Sequence, residues 1–213
     1  MRTGGTGGDI DSRSQLLEAG TALFAERGFD GATVEQIARR AGVNKALISY
    51  YFGGKAGLYA AIVKATLGVA AERIQPLRED PRPAPERLQD LVHTLGEVMA
   101  GNPGLPPMLL REVLSGARQL QAELLPLFLA IFGTVAGVIA DGVRAGDFRP
   151  VNPLFAHLSV VGSLIFFFAT EPLRSRLAAE GLLPLAAPLD AGAYVRHVEE
   201  LMARGFAPPG RKA

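Results

Sequence analysis

Residues 33–59 read TVEQIARRAGVNKALISYYFGGKAGLY, and the fold turns on how they are parsed. Thr33 stands three residues before Gln36, the spacing of a capping box, and opens a short helix through Arg40. Gly42 ends that helix in a tight turn. Asn44 suits the N-cap of a second short helix, Lys45 to Tyr51, which Gly53-Gly54 breaks. Two short helices meeting at a glycine turn make a helix-turn-helix. Ala38 is small where the helices cross, and Val43, Leu47 and Ile48 anchor the second helix from behind. Its free face then carries Asn44, Lys45, Ala46, Ser49 and Tyr50. A core helix has no use for such a face. A helix laid in the major groove does, with its first residues against base edges and its Tyr and Lys donating to phosphates.

Charge agrees with that parse. Between Glu35 and Glu72 there is no acid, only Arg39, Arg40, Lys45, Lys55 and Lys64, in a chain whose net charge is +1. A local basic segment is the footprint of phosphate contact. An ordinary solvated face can show the same gap in acids, so the helix-turn-helix spacing decides.

Working outward, the flanking pattern is helical almost throughout and no alternating strand stands out, which makes the chain all-α. A first helix runs from about Ser12 to Arg27, with Leu16, Leu17, Ala19, Leu23 and Phe24 at helical spacing and Gly28 beyond its last turn. A longer one begins near Lys55 and ends near Gln75, before the proline-rich loop PLREDPRPAP. Further helices are expected at about 85–100, 106–118, 121–145, 153–178 and 190–206. Residues 1–11 and 207–213 read as flexible tails, 12–60 as a small N-terminal unit and 61–206 as a larger helical one. The length, 213 residues, suits a small domain fused to a larger one.

Composition narrows the function classes. With 48% hydrophobic and 20% charged residues, most of the chain must be folded. Cysteine is absent, which excludes disulfides, thiol nucleophiles and thiolate metal sites and permits a reducing cytoplasm. The N-terminus lacks the apolar core of a signal peptide. The most apolar run, LSVVGSLIFFFA from Leu158 to Ala169, is well short of the ~20 residues of a membrane span. It reads as a buried helix, covered either by a partner subunit or within a single chain's core, and no membrane contact is expected. His93, His157 and His197 are scattered without metal-ligand spacing, so neither metal nor cofactor is expected.

The stretch TVEQIARRAGVNKALISYYFGGKAGLYAAI resembles the DNA-binding domain of the tetracycline-repressor (TetR) family of transcription regulators. The match spans about Ser12 to Val63. It includes the long first helix, the Gly28-Phe29 turn, the Ile37 to Val43 turn, and Phe52, Lys55 and Leu58 in register. The resemblance implies that Thr33 caps the second helix and reaches a phosphate. Lys45, Tyr50, Tyr51 and Lys55 would contact phosphates or clamp the groove, and Asn44, Ala46 and Ser49 would read bases. Ser49 stands where many members have tyrosine, a departure that bears on the operator contacts.

The resemblance also implies a C-terminal ligand-binding and dimerisation domain. The last two helices would pair with their copies, and Leu158, Val161, Ile165 and Phe168 share one face for that purpose. Met99, Met108, Phe128 and Phe132, with Leu109, Leu127 and Ile131, offer an apolar pocket lining, although Met and aromatic residues at helical spacing fit plain core as well. His93, Arg111, Glu112 and His157 are the polar groups expected to point inward. The expected function is a cytoplasmic, homodimeric regulator that represses from a palindromic double-stranded operator until a small apolar or amphipathic effector releases it. A DNA-binding regulator without an effector remains the alternative. No Ser/His/Asp grouping, phosphate loop or metal cluster supports an enzyme.

Overall fold

The computed structural model describes residues 6–116, 124–182 and 190–209. Among them every regular element is helical, as the periodicity implies. α1 (Thr6–Gly31) begins inside the stretch read as a tail. Its regular part ends at Gly28, whose φ of 73° and ψ of 177° break the helix. α2 (Val34–Ala41) and α3 (Ala46–Phe52) follow, then α4 (Lys55–Ile74), which runs on into a single tight turn at Gln75–Arg78. Leu16, Leu23 and Phe24 of α1, Ile37 of α2, Ile48 of α3 and Leu58 of α4 are buried together as the centre of the small unit.

α4 joins that unit to the rest. It packs on α1 and α3, and also on α5 (Ala84–Gly101) and α7 (Leu125–Ala145). α7 is 21 residues long and apolar enough, by length and composition, to cross a membrane. It buries 33% of its most apolar stretch, with Val135, Val138 and Ile139 against its neighbours. Arg87 of α5 is buried and donates from Nη1 and Nη2 to Asp141 of α7 at 3.1 Å, and from Nη1 to the Leu77 and Arg78 carbonyls. That tie fixes α5, α7 and the turn after α4 to one another.

α6 (Leu105–Leu114) lies against α1, and the expected helix 106–118 ends four residues early where described. The single helix expected over 153–178 is in fact compound. α8 (Pro153–His157) passes through a widened turn at Leu158–Gly162 into α9 (Ser163–Ala169), and α10 (Glu171–Ala179) then leaves at a 49° bend. Pro172 explains the bend, because it has no N–H to continue the ladder and disfavours helical geometry at Glu171. The widened turn holds one residue more than an α-turn and advances the side-chain register. Ala156, Val160, Leu164 and Phe167 form the buried stripe, at spacings of four, four and three. α11 (Ala191–Phe206) closes the bundle on α5, capped by the Asp190 carboxylate, which accepts from the Ala193 N–H at 2.9 Å.

Candidate nucleic-acid interface and effector cleft

The reading head is built locally as the sequence implies. Thr33 Oγ1 accepts from the Gln36 N–H at 3.2 Å and Gln36 Oε1 accepts from the Thr33 N–H at 3.1 Å, so both arms of the capping box are closed. Gly42 caps α2 at φ 70°, the left-handed conformation that turns the chain into α3. Asn44 Oδ1 accepts from the Ala46 N–H at 2.9 Å from one residue ahead of the N-cap position, since α3 begins at Ala46 and Lys45, at its N-cap, carries no side-chain cap. Ile48 is buried and Leu47 half-buried, which seats α3 on the core. Asn44, Lys45, Ala46, Ser49 and Tyr50 are exposed on the opposite side, Tyr50 at 74%. Tyr51 is half-buried, its ring edge-on to both Tyr50 and Phe52. Arg13 of α1 covers the Phe52 ring at 5.3 Å and steadies the end of α3.

The cations on this face differ in what holds them. Lys45 Nζ donates to Glu35 Oε1 at 3.0 Å, and that hydrogen bond holds the Glu35 carboxyl below its usual range. Both side chains are mostly exposed, so the pair is weak and a phosphate can compete for the lysine. Arg40 pairs with Glu26 at 2.8 Å. Lys55 differs from the expectation. Its Nζ donates to the Phe29 carbonyl at 3.0 Å and the Ala32 carbonyl at 3.1 Å, and lies 4.3 Å from the Phe29 ring centroid. Those acceptors are the orphan carbonyls of a helix end and the loop after it, which a lysine satisfies well. Lys55 therefore ties α4 to the end of α1 in this structure.

The residues expected to line a pocket are not brought together. Met99 and Met108 are buried core. His93 lies on the surface, its ring within 3.4 Å of Glu97 and Glu199, because its position on α5 faces α11 across an open edge. Phe128 and Phe132 are half-buried on α7. The Phe132 ring meets the His157 ring edge-on at 5.4 Å, and burial pushes the imidazole pKa below its usual value. Of the expected set Arg111 borders one large opening, and Leu127 borders another of about 690 Å³ beside the turn after α4.

The opening beside Arg111 is a cleft of about 780 Å³ between the end of α1, the α5–α6 turn, and α9, α10 and the start of α11. Its walls are mostly apolar: Ala25, Pro103, Phe167, Phe168 and Leu173 are among them. Arg174 also borders it, donating to Thr170 Oγ1 at 2.7 Å and to the Phe167 carbonyl, with its guanidinium 3.9 Å above the Phe167 ring. Tyr194 stacks on Phe167 at 3.8 Å and stiffens that wall. Phe168, expected on the dimer face, borders this cleft instead.

Arg111 and its neighbour Glu112 connect the cleft to the reading head. Arg111 Nη2 donates to the Glu26 carbonyl of α1 at 3.2 Å. Glu112 is 5% exposed and accepts from the Tyr59 hydroxyl of α4 at 3.2 Å. Burial, then the Glu112 charge, raises the phenol's pKa well above its usual value. Tyr59 in turn packs edge-on to Phe24 and Phe29. Sequence reasoning did not single out Tyr59, Arg174 or Phe167. A tyrosine in an apolar helix carries no signal until its partner, fifty-three residues away, is placed beside it.

The outer face of α8 and α9 is apolar and open. Phe155 (65% exposed), Leu158 (57%) and Phe166 (62%) stand on it with Leu154, and Leu201 is exposed on α11. Val161 and Ile165 are half-buried at its edge.

A capped helix-turn-helix with an outward polar face, mounted on a larger helical body, defines a DNA-binding transcription regulator. Residues 16–62 match the profile of bacterial regulatory proteins of the tetR family, and residues 85–187 match that of the tetracyclin repressor-like C-terminal domain. The chain belongs to the TetR family of transcriptional regulators. It is 30% identical over 141 residues to the HTH-type transcriptional regulator RutR of Escherichia coli (strain K12), an alignment that covers 66% of each chain. It is 25% identical over 199 residues to the HTH-type transcriptional repressor NicS of Pseudomonas putida, covering 92% of each. Among solved structures, the transcriptional regulator FadR from Bacillus subtilis in complex with stearoyl-CoA superposes with a TM-score of 0.68 at 21% identity. That superposition covers 91% of this chain and 98% of FadR.

Proposed function

We propose that the protein is a cytoplasmic, homodimeric repressor that binds an inverted-repeat operator through α3 and is released by a small amphipathic effector held in the 780 Å³ cleft. One observation carries the effector half of this reading. The side chain that borders the cleft, Arg111, is the same one that grips the end of α1. Anything that occupies the cleft therefore bears on the position of the reading head. The volume lies within the roughly 300–1,000 Å³ range of small-molecule sites, and the apolar walls with few polar groups have their character. FadR, with stearoyl-CoA bound, is an instance of this fold accommodating an amphipathic ligand. NicS carries the name of a repressor, which supports the sign of the regulation.

Release follows from geometry. The two α3 helices of a dimer must enter successive major grooves about 34–36 Å apart, so a small rotation of either reading head lowers operator affinity. The α8–α9 face is the surface such a dimer would use. A thermal-shift screen of lipophilic, zwitterionic and strongly polar metabolites tests the effector class, since a ligand of the native state alone raises the melting temperature. Hits should be amphipathic and should weaken binding to duplex DNA. Stabilisation by polar metabolites alone, unaffected by substitutions in the cleft, would contradict the assignment.

A further inference from the structure

We infer that the cleft takes an amphiphile with an anionic head group, and that Arg111 reads this head group while tethering α1. The inference rests on the regulator reading and names the ligand class of its effector site. Two guanidiniums border the cleft, Arg111 and Arg174. Neither is paired with a carboxylate among the described residues. Arg111 donates to a backbone carbonyl, and Arg174 to a carbonyl and a hydroxyl. Of the two acids on the same walls, Glu26 is paired with Arg40, and Glu171 accepts from the Ser175 hydroxyl while its charge acts on Arg174. A carboxylate or phosphate entering the cleft would exchange water for a charge-assisted, planar, two-pronged partner. A cation would meet two guanidiniums, of which Arg174 alone feels the Glu171 carboxylate nearby, so Arg111 is the stronger determinant of the preference. The apolar wall formed by Phe167, Phe168 and Leu173 suits a hydrocarbon chain.

Arg111 is also placed to report the event. Its guanidinium lies so close to Gly28 that a Cβ there would stand 3.0 Å from Nη1. On its other side is a second hollow, about 280 Å³, lined by Phe29, Tyr59 and Glu112. Turning toward a head group withdraws Nη2 from the Glu26 carbonyl, at the point where α1 breaks. The ligand then has different contacts in the two positions of the reading head, which is what coupling requires.

Three probes with one chain length separate head-group charge from hydrophobicity: dodecanoate, dodecanol and dodecylammonium, titrated below their aggregation concentrations into the full-length protein. Dodecanoate should bind best and dodecylammonium worst. Arg111→Gln should weaken dodecanoate about tenfold or more and leave dodecanol unchanged. Arg174→Gln provides the same comparison if the first variant melts early. Equal affinities for the three probes, or variants that bind dodecanoate as the parent does, would overturn the inference. The regulator reading is judged separately, on duplex DNA selected by the protein from a random pool. Duplex binding that dodecanoate weakens in the parent and not in Arg111→Gln supports the coupling. Duplex binding indifferent to dodecanoate in the parent overturns the inference and leaves the regulator reading intact. Failure to select any duplex overturns the regulator reading whatever the amphiphile affinities.

Discussion

Lys55 shows how a single residue can carry a structural load that its position and charge do not announce. Position and charge suit a phosphate, yet its ammonium is spent on two carbonyls and a ring at the end of α1. Lys55→Ala should therefore destabilise the protein, by about 1–3 kcal/mol, since charge-assisted hydrogen bonds in a half-buried site are lost. A urea titration measures this, and an unchanged midpoint with weakened DNA binding would restore the phosphate role. His157 gives a pH dependence. Burial holds its folded-state pKa below the usual 6.5, so the neutral form is favoured in the fold. Its contribution is fully present above pH 6.5 and is lost as pH falls, because the unfolded chain takes up the proton first. The urea midpoint should fall between pH 7.5 and 5.5, and less steeply in His157→Phe. Equal slopes for the two proteins would assign the acid sensitivity elsewhere.

At the scale of elements, the widened turn at Leu158–Gly162 and the break before Pro172 reshape what the sequence shows as one long helix. The apolar stripe read at regular spacing was Leu158, Val161, Ile165 and Phe168. The outward face holds Leu158 with Phe155 and Phe166, and Phe168 turns to the cleft. The proline was visible in the sequence; the extra residue in the turn was not, because no residue type enforces it. The capping of α2 was legible, since Thr33, Gln36 and Gly42 act on neighbours within four residues, while the N-cap position of α3 fell on Lys45, one residue past Asn44. The cleft was illegible for the opposite reason. A lining and a core use the same apolar residues at the same spacing, and only the path of α10 leaves a gap beside Phe167. Replacing Phe155 and Leu158 together with aspartate should yield monomers by sedimentation velocity with helix content retained. An unaltered dimer would place the interface on another face.

Over the whole molecule, two units share α4 and meet again where Arg111 and Glu112 touch α1 and Tyr59. The position of the reading head followed from twenty-seven residues, the all-α class from the periodicity on either side of them, and the resemblance to the TetR family from about fifty. The polar link between the units followed from none of these, because it joins partners far apart in the chain. What the arrangement demands of DNA is definite. Selection from a random duplex pool with the full-length protein, followed by binding to the enriched sequence over a range of salt, tests it most directly. The enriched site should be an inverted repeat whose half-site centres lie one helical turn, or a whole number of turns, apart. Affinity should fall linearly in log–log with salt, and Asn44→Ala and Ser49→Ala should shift the preferred bases. Enrichment of a single asymmetric site, or of none, with α3 substitutions of no consequence, would contradict the assignment of α3 as the recognition helix.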